Sequence, residues 1–223
     1  MPSWSADASD QIAGWDHAAQ HYDRASAWLE RRFLRDGRGW VCERAHGRVL
    51  DVGIGTGANL ALLGHATSLV GVDPSSAMLG VARQKAGSLG REVALHQASA
   101  EALPFDDASF DTVVFTYVLC NVPDVASALQ EARRVLRPGG SLLLADHVVA
   151  THPFLRWGQR RLESVTGPRR GEWFTRRPRA VVDGEPDWRV TDGSRAHRGI
   201  IETLWAARDG QSGAERGARA RPE

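Results

Sequence analysis

Residues 49–57, VLDVGIGTG, constrain this chain more tightly than any other stretch. Val49, Leu50 and Val52 form an apolar run suited to a strand packed on both faces of a sheet, and the run breaks into a turn carrying Gly53, Gly55 and Gly57. Glycines in such a turn let backbone approach a ligand with no Cβ in the way. A helix is expected from about Ala58, with free amides at its start. Asp51 sits just before the turn, within reach of a cationic or amine-bearing group. Asp73 closes the next apolar run, 68–73, at a spacing that suits a carboxylate binding the two hydroxyls of a ribose. The turn alone does not choose a cofactor, because Gly53-x-Gly55-x-x-Ala58 also satisfies the dinucleotide fingerprint.

Strand and helix patterns alternate from there. Strands are expected over 68–73, 92–97, 110–116 and 141–149, and helices after Pro74-Ser75-Ser76 and over 122–136, the latter stopped sharply by Arg137-Pro138-Gly139-Gly140. Such alternation specifies an α/β fold: a Rossmann-like, doubly wound, mostly parallel sheet with helices on both faces and ligands beyond the carboxyl ends of the strands. Asp51, Asp73, Ser99, Thr116, Asp146 and His147 all fall at or near such ends. Apolar residues at helical spacing over 13–43 predict a cap that brings the His21-Tyr22-Asp23 stretch toward the same crevice. Residues 187–190 and 199–207 predict an antiparallel hairpin that closes a seven-stranded sheet. The expected layout is a flexible start (1–12), a single domain over 13–207 and a disordered tail (208–223). Within the domain lie a helical cap (13–47), a ligand-binding core (48–150), a helical lid (151–180) and the closing strands (181–207).

A length of 223 residues allows one domain with a substantial core, and a net charge of +1 gives no general pull toward nucleic acid. Cys42 and Cys120 lack metal-ligand spacing, so neither a disulfide framework nor a metal site is expected, and a reducing cytoplasm fits the composition. The first residues do not read as a signal peptide, and no run is long and apolar enough to span a bilayer. One segment stands apart. Over 151–180, Trp157, Leu162, Val165 and Trp173 are interleaved with eight arginines against two glutamates. This reads as a lid over the crevice, with weak membrane-surface contact or an RNA surface as alternatives. A monomer is expected.

Taken together, VLDVGIGTG, GVDPS, ASAEALPF, FDTVV and RVLRPGG resemble the class I S-adenosylmethionine-dependent methyltransferases of the type 11 domain, in the same order and at similar spacing over residues 12–150. The resemblance implies S-adenosyl-L-methionine as cofactor. It places Gly53, Gly55 and Gly57 beside the methionine moiety, Asp51 near its amino group and Asp73 on the ribose. Ser99, Ala100 and Glu101 would edge the adenine, with Pro74 and Leu103 packing on it; Ser99 stands where the common form has an aspartate. Thr116 and Tyr22 complete the expected cofactor set.

A closer similarity, in GTGANL (55–60), TYVLCNV (116–122) and Asp146-His147-Val148 followed by Trp157 and Gln159, is to the methyltransferase-like enzymes that methylate alkyl thiols. The quinone-ring and phospholipid methyltransferases are similar as well. A small, apolar acceptor is therefore expected, an alkyl thiol first and a quinone or phospholipid as the alternative. His147 is the candidate base and Asp146 its orienter, while Trp28, Tyr117, Trp157 and Trp173 are expected to line an acceptor pocket under the lid. Readings from other classes are an RNA or protein methyltransferase holding a polyanion on the arginine-rich segment, a non-catalytic S-adenosylmethionine-binding protein, and a nicotinamide dehydrogenase.

Overall fold

The computed structural model describes residues 6–170 and 172–210, with side chains described from residue 9 onward and left out over 168–170. Seven strands form one sheet in the order β3-β2-β1-β4-β5-β7-β6. These are β1 (Gly47–Val52), β2 (Ala66–Asp73), β3 (Ala94–Gln97), β4 (Phe110–Thr116), β5 (Leu136–His147), β6 (Trp188–Ala196) and β7 (Ile201–Arg208). The first five run parallel, and β7 pairs antiparallel with both β5 and β6. The chain winds outward from β1 to β3, then returns to place β4 against the other side of β1. That reversal opens a crevice above the carboxyl ends of β1 and β4.

The two-residue period of a strand divides the core between the faces. Leu50 and Val52 join Val113, Phe115, Leu142 and Leu144 on one side, and Val49 joins Val114, Leu143 and Ala145 on the other. On the first face α4 (Val125–Val135) inserts Ala128, Leu129, Ala132 and Val135, an i, i+1, i+4, i+7 stripe, and Asp124 caps it by accepting from the amides of Ala126 (2.9 Å) and Ser127 (3.3 Å). On the second face lie α2 (Arg35–Arg44) and α3 (Ser76–Ser88); the hydroxyl of Ser75 caps α3 by accepting from Met78 N at 3.1 Å.

Three local expectations change. No helix follows the glycine turn: residues 55–62 form successive turns, with the amides of Leu62 and Leu63 both bonded to Asn59 O. The stretch before Gly64 is too short to repay helix nucleation, and it instead drives Leu60 and Leu63 into the core. α4 ends at Val135 ahead of Arg137-Pro138-Gly139-Gly140 as expected, but that segment is not a gap before the next strand: it forms the first part of β5, absorbed by a register shift opposite Phe110 and Thr112. The edge strand β6 continues through the polar residues Thr191–Ala196, because its pairing with β7 needs only backbone groups.

The cap is α1 (Ala6–Leu29), a π-helical turn (Glu30–Leu34) and α2. α1 begins within the stretch expected to be flexible, where Ala6–Ile12 contains no glycine or proline. The expected tail lies outside the described residues beyond 210, and Arg208 itself ends β7. The segment expected to form a lid, 151–180, holds α5 (Pro153–Arg170) and the start of α6 (Pro178–Gly184). Among the described residues, no helix is long and apolar enough to cross a membrane.

Candidate active site

α1 is pinned across the crevice at several points. Asp16 accepts from Ser75 Oγ (2.5 Å) and Ala77 N (3.1 Å), Asp23 accepts from Thr56 Oγ1 (2.6 Å) and Lys85 Nζ (2.7 Å), and Gln11 donates to Asn121 O (2.9 Å). Beneath it lies a cleft of about 760 Å³. Its floor is the glycine turn and the ends of β2 and β4; its walls include Ile12, Trp15, Tyr22 and Leu34 from the cap and Tyr117, Val118, Asn121 and Val122 from the loop after β4.

The glycine turn is shaped by close packing on one side and space on the other. A Cβ on Gly53 (φ 69°) would lie 2.2 Å from Val118 Cγ2, whereas one on Gly55 (φ 54°) would meet nothing nearer than 3.9 Å and would project into free space. Asp73 holds this turn to the start of α3, its two oxygens accepting from Gly55 N (3.0 Å) and Ser75 N (2.9 Å). Each oxygen keeps a lone pair for a further donor. Burial pushes the Asp73 carboxyl up to about 6 despite those two amides.

Behind the turn is a buried polar network. Asn59 Nδ2 donates to both oxygens of Asp51 (3.0 and 2.9 Å) and to Thr116 Oγ1 (2.9 Å). Arg38, 8% exposed, donates from Nη1 to Asn59 Oδ1 (2.7 Å) and Thr116 Oγ1 (2.9 Å), and it forks onto Glu30 from Nε (2.7 Å) and Nη2 (3.0 Å). Burial raises the Asp51 carboxyl to about 7, with Asn59 and the Arg38 charge opposing the rise.

Of the residues expected to hold the cofactor, Tyr22, Gly53, Gly55, Asp73, Pro74, Ser99, Ala100, Glu101 and Thr116 line this cleft. Gly57 and Asp51 stand behind it: Gly57 packs against Leu60, and Asp51 reaches the cleft wall through Asn59 and Thr116. The Ser99 hydroxyl is bonded to the Glu101 carboxylate, which also accepts from Asp124 N (3.2 Å). Leu103 turns into the core instead, and Met78, Ala98 and Pro104 supply apolar lining in its place.

Asp146 and His147 are not among the lining residues. Asp146 is fully buried and accepts from Leu119 N (2.6 Å) and His147 N (2.7 Å); His147 Nδ1 is 4.0 Å from its Oδ1. The imidazole packs between Tyr117 (5.2 Å between centroids) and Phe174 (6.1 Å), and burial pulls its pKa down to about 4. With Cys120 these two residues form a group of possible ligand atoms within 4.8 Å of one another, a proximity absent from the sequence spacing. Of the four aromatics expected around the acceptor, only Tyr117 lines the cleft; Trp28 and Trp157 point outward, and Trp173 uses its amide to bond Cys120 O (2.8 Å).

Arg38, Glu30 and Asn59 escaped sequence reading, since their partners lie 8, 21 and 78 residues apart and no periodicity links them. Arg176 also went unnoticed: it donates to Leu119 O (2.8 Å) and Val122 O, tying the connection between α5 and α6 to the loop that walls the cleft.

Residues 50–144 match the family described as a methyltransferase domain. The 2-phytyl-1,4-naphtoquinone methyltransferase of Synechococcus elongatus is 33% identical over 160 residues, which is 67% of this chain and 69% of that protein. The chain belongs to the S-adenosylmethionine-dependent methyltransferases. Phosphatidylethanolamine N-methyltransferase of Cereibacter sphaeroides is 41% identical over 103 residues, 45% of this chain and 51% of that protein. The chain thus spans about half the length of the first curated relatives it matches. In fold, the YcgJ protein of Bacillus subtilis superposes with a TM-score of 0.61 at 23% identity, covering 78% of this chain and 96% of that one. S-adenosyl-L-methionine is the cofactor of this methyltransferase family, and the cleft fits it: an open Gly55 face, a carboxylate at the end of β2, and an Asn121 Oδ1 with no hydrogen-bond partner among the described residues. These curated relatives are quinone and phospholipid enzymes, in line with the alternative acceptor reading rather than the alkyl thiol one.

Proposed function

We propose that this methyltransferase acts on a small apolar acceptor of the quinone or phospholipid type. The observation that carries the reading is the composition of the cleft under α1. The glycine turn and Asp73 share it with Ile12, Trp15, Leu34, Val118 and Val122, so a polar cofactor site adjoins an apolar wall. The relatives that methylate a quinone or a phospholipid support the same class of acceptor.

S-adenosylmethionine supplies a methyl group already activated by its sulfonium charge, which leaves the protein chiefly to position and desolvate. Gly53 and Gly55 are assigned to the methionine moiety, Asp73 to the ribose hydroxyls, and Ser99, Ala100 and Glu101 with Pro74 to the adenine edge. Asp51, Gly57, Thr116 and Tyr22 complete the assignment, Asp51 acting on the ligand's ammonium through the Asn59–Thr116 network. Asp146 and His147 we assign to positioning: the Asp146 carboxylate fixes the loop through Leu119, and His147 backs the Tyr117 ring at the cleft wall. A role for His147 as base would need that ring to move aside.

The test is transfer of labelled methyl from S-adenosylmethionine to a panel of demethylated quinols, phosphatidylethanolamine and alkyl thiols, read after solvent extraction. Label in the quinol or phospholipid fraction is expected. Label only in the thiols would restore the second reading, which the motifs at 55–60 and 116–122 favour. Label only in added RNA or protein would overturn both.

A further inference from the structure

α5 presents its polarity in reverse. Gln159 faces the body of the protein, accepting from Ala150 N (2.7 Å) and donating to Val148 O (2.9 Å). Glu163 accepts from Thr175 N (2.9 Å) and Thr175 Oγ1 (3.0 Å), and Thr166 bonds Glu172 O (3.2 Å). The apolar side chains face the other way: Phe154 is 70% exposed, Trp157 60%, Leu162 52% and Val165 50%. At 3.6 residues per turn these four fall within an arc of about 140°, with Arg161 inside it. A helix on a water-exposed surface normally shows the opposite arrangement.

We propose that this outward face of α5 docks on an anionic phospholipid bilayer. Three observations choose that occupant. The exposed Phe154 and Trp157 rings stack at 6.1 Å between centroids, and the Arg161 guanidinium lies 5.9 Å from the Trp157 ring, a pairing of aromatic and cation suited to the depth of lipid headgroups. The charge is complementary to an anionic surface: Arg160 and Arg161 are exposed, while the one acid of α5, Glu163, is turned inward, in a chain whose total charge is only +1. The patch also continues beyond the helix. Trp28, 61% exposed at the end of α1, packs on Phe33, Phe33 packs on His197, and Arg198 O accepts from Thr151 at the foot of α5. Exposed Arg31 and Arg32 flank that extension.

The inference stands without the acceptor reading, yet it has a consequence for it. α1 lines the cleft with Trp15 and Tyr22 and offers Trp28 to the patch, so docking holds the cap against the phase in which an apolar acceptor dissolves.

Co-sedimentation of the full chain with vesicles of phosphatidylcholine, alone or mixed equally with phosphatidylglycerol, tests the surface. The chain is expected to sediment with the mixed vesicles. The double substitution Phe154→Ser/Trp157→Ser is expected to weaken partitioning by about tenfold or more, and Arg160→Glu/Arg161→Glu to abolish the preference for the anionic mixture. Affinity for S-adenosylmethionine, measured on the same variants, is expected to stay within about twofold of the parent, which separates loss of docking from loss of fold or cofactor site. Absence of sedimentation with either vesicle, or partitioning unchanged in Phe154→Ser/Trp157→Ser, would overturn the proposal. So would binding to single-stranded RNA without vesicle binding, or a dimer that the same double variant dissociates and that ignores vesicles.

Discussion

Replacing Arg38 by leucine removes the buried side chain that joins Glu30 of the cap to Asn59 and Thr116 beneath the cleft. The guanidinium makes four hydrogen bonds, two to Glu30, one to Asn59 and one to Thr116. Their loss is unequal in cost. Glu30 is 30% exposed in its side chain and recovers water, and Thr116 Oγ1 keeps its bond from Asn59. Asn59 Oδ1, on a residue only 2% exposed, loses its donor, and the Asp51 carboxylate loses the nearby positive charge that opposes its burial. A buried acceptor left unpaired costs about 1–3 kcal/mol, and breaking a buried charge pair about 3–5 kcal/mol; with one partner regaining solvent, about 2–4 kcal/mol is expected. In urea unfolding this places the midpoint about 1–2 M lower. Arg38→Lys, which keeps the charge but loses the fork, should fall between the two proteins. A midpoint for Arg38→Leu within ~0.3 M of the parent would refute the view that this network fastens the cap.

Two further outcomes follow from the same geometry. Asp51, Asp73 and Asp146 have folded pKa values of about 7, 6 and 6, above those of the unfolded chain, so the folded state holds more protons between about pH 4 and 7. Stability without ligand should therefore fall as pH rises, from about pH 4 to 6 through Asp73 and Asp146 and on to about 7 through Asp51, each contributing up to roughly 1.4 kcal/mol per pH unit within its own window; His147, lowered to about 4, works in the opposite direction below pH 6.5 but is one group against three over most of that range. Melting temperatures that rise steadily from pH 5 to 7 would contradict this. Gly53→Ala combines a left-handed φ of 69° with a Cβ 2.2 Å from Val118 Cγ2, so it should cost about 2–4 kcal/mol in chemical unfolding and be poorly tolerated; an unchanged midpoint would mean that the turn can relax.

What could be read from sequence was what repeats locally. The double-sided burial of β1 follows from Val49, Leu50 and Val52, and the order of strands and helices follows from alternating apolar runs and breakers. The cleft wall was legible where a residue closes a strand, as Asp73 and Thr116 do. Residues joined only through space were not. Arg38 meets partners from two other elements, and β6 gains its last residues from pairing with β7, not from its own composition. The outward apolar face of α5 was also hidden, because a sequence pattern shows that a helix has two faces but not which one turns inward. There the inward choice is set by backbone acceptors and donors, Val148 O, Ala150 N and Thr175 N, which only a polar face can satisfy.

The most direct measurement is calorimetric titration of S-adenosylmethionine into the parent protein and into Asp73→Ala. Saturable binding of one equivalent to the parent, weakened by about tenfold or more in the variant, is the predicted result, since one lost charge-assisted bond to a buried ligand is worth that much. No heat of binding in the parent, or equal affinity in both proteins, would contradict the placement of the cofactor in this cleft.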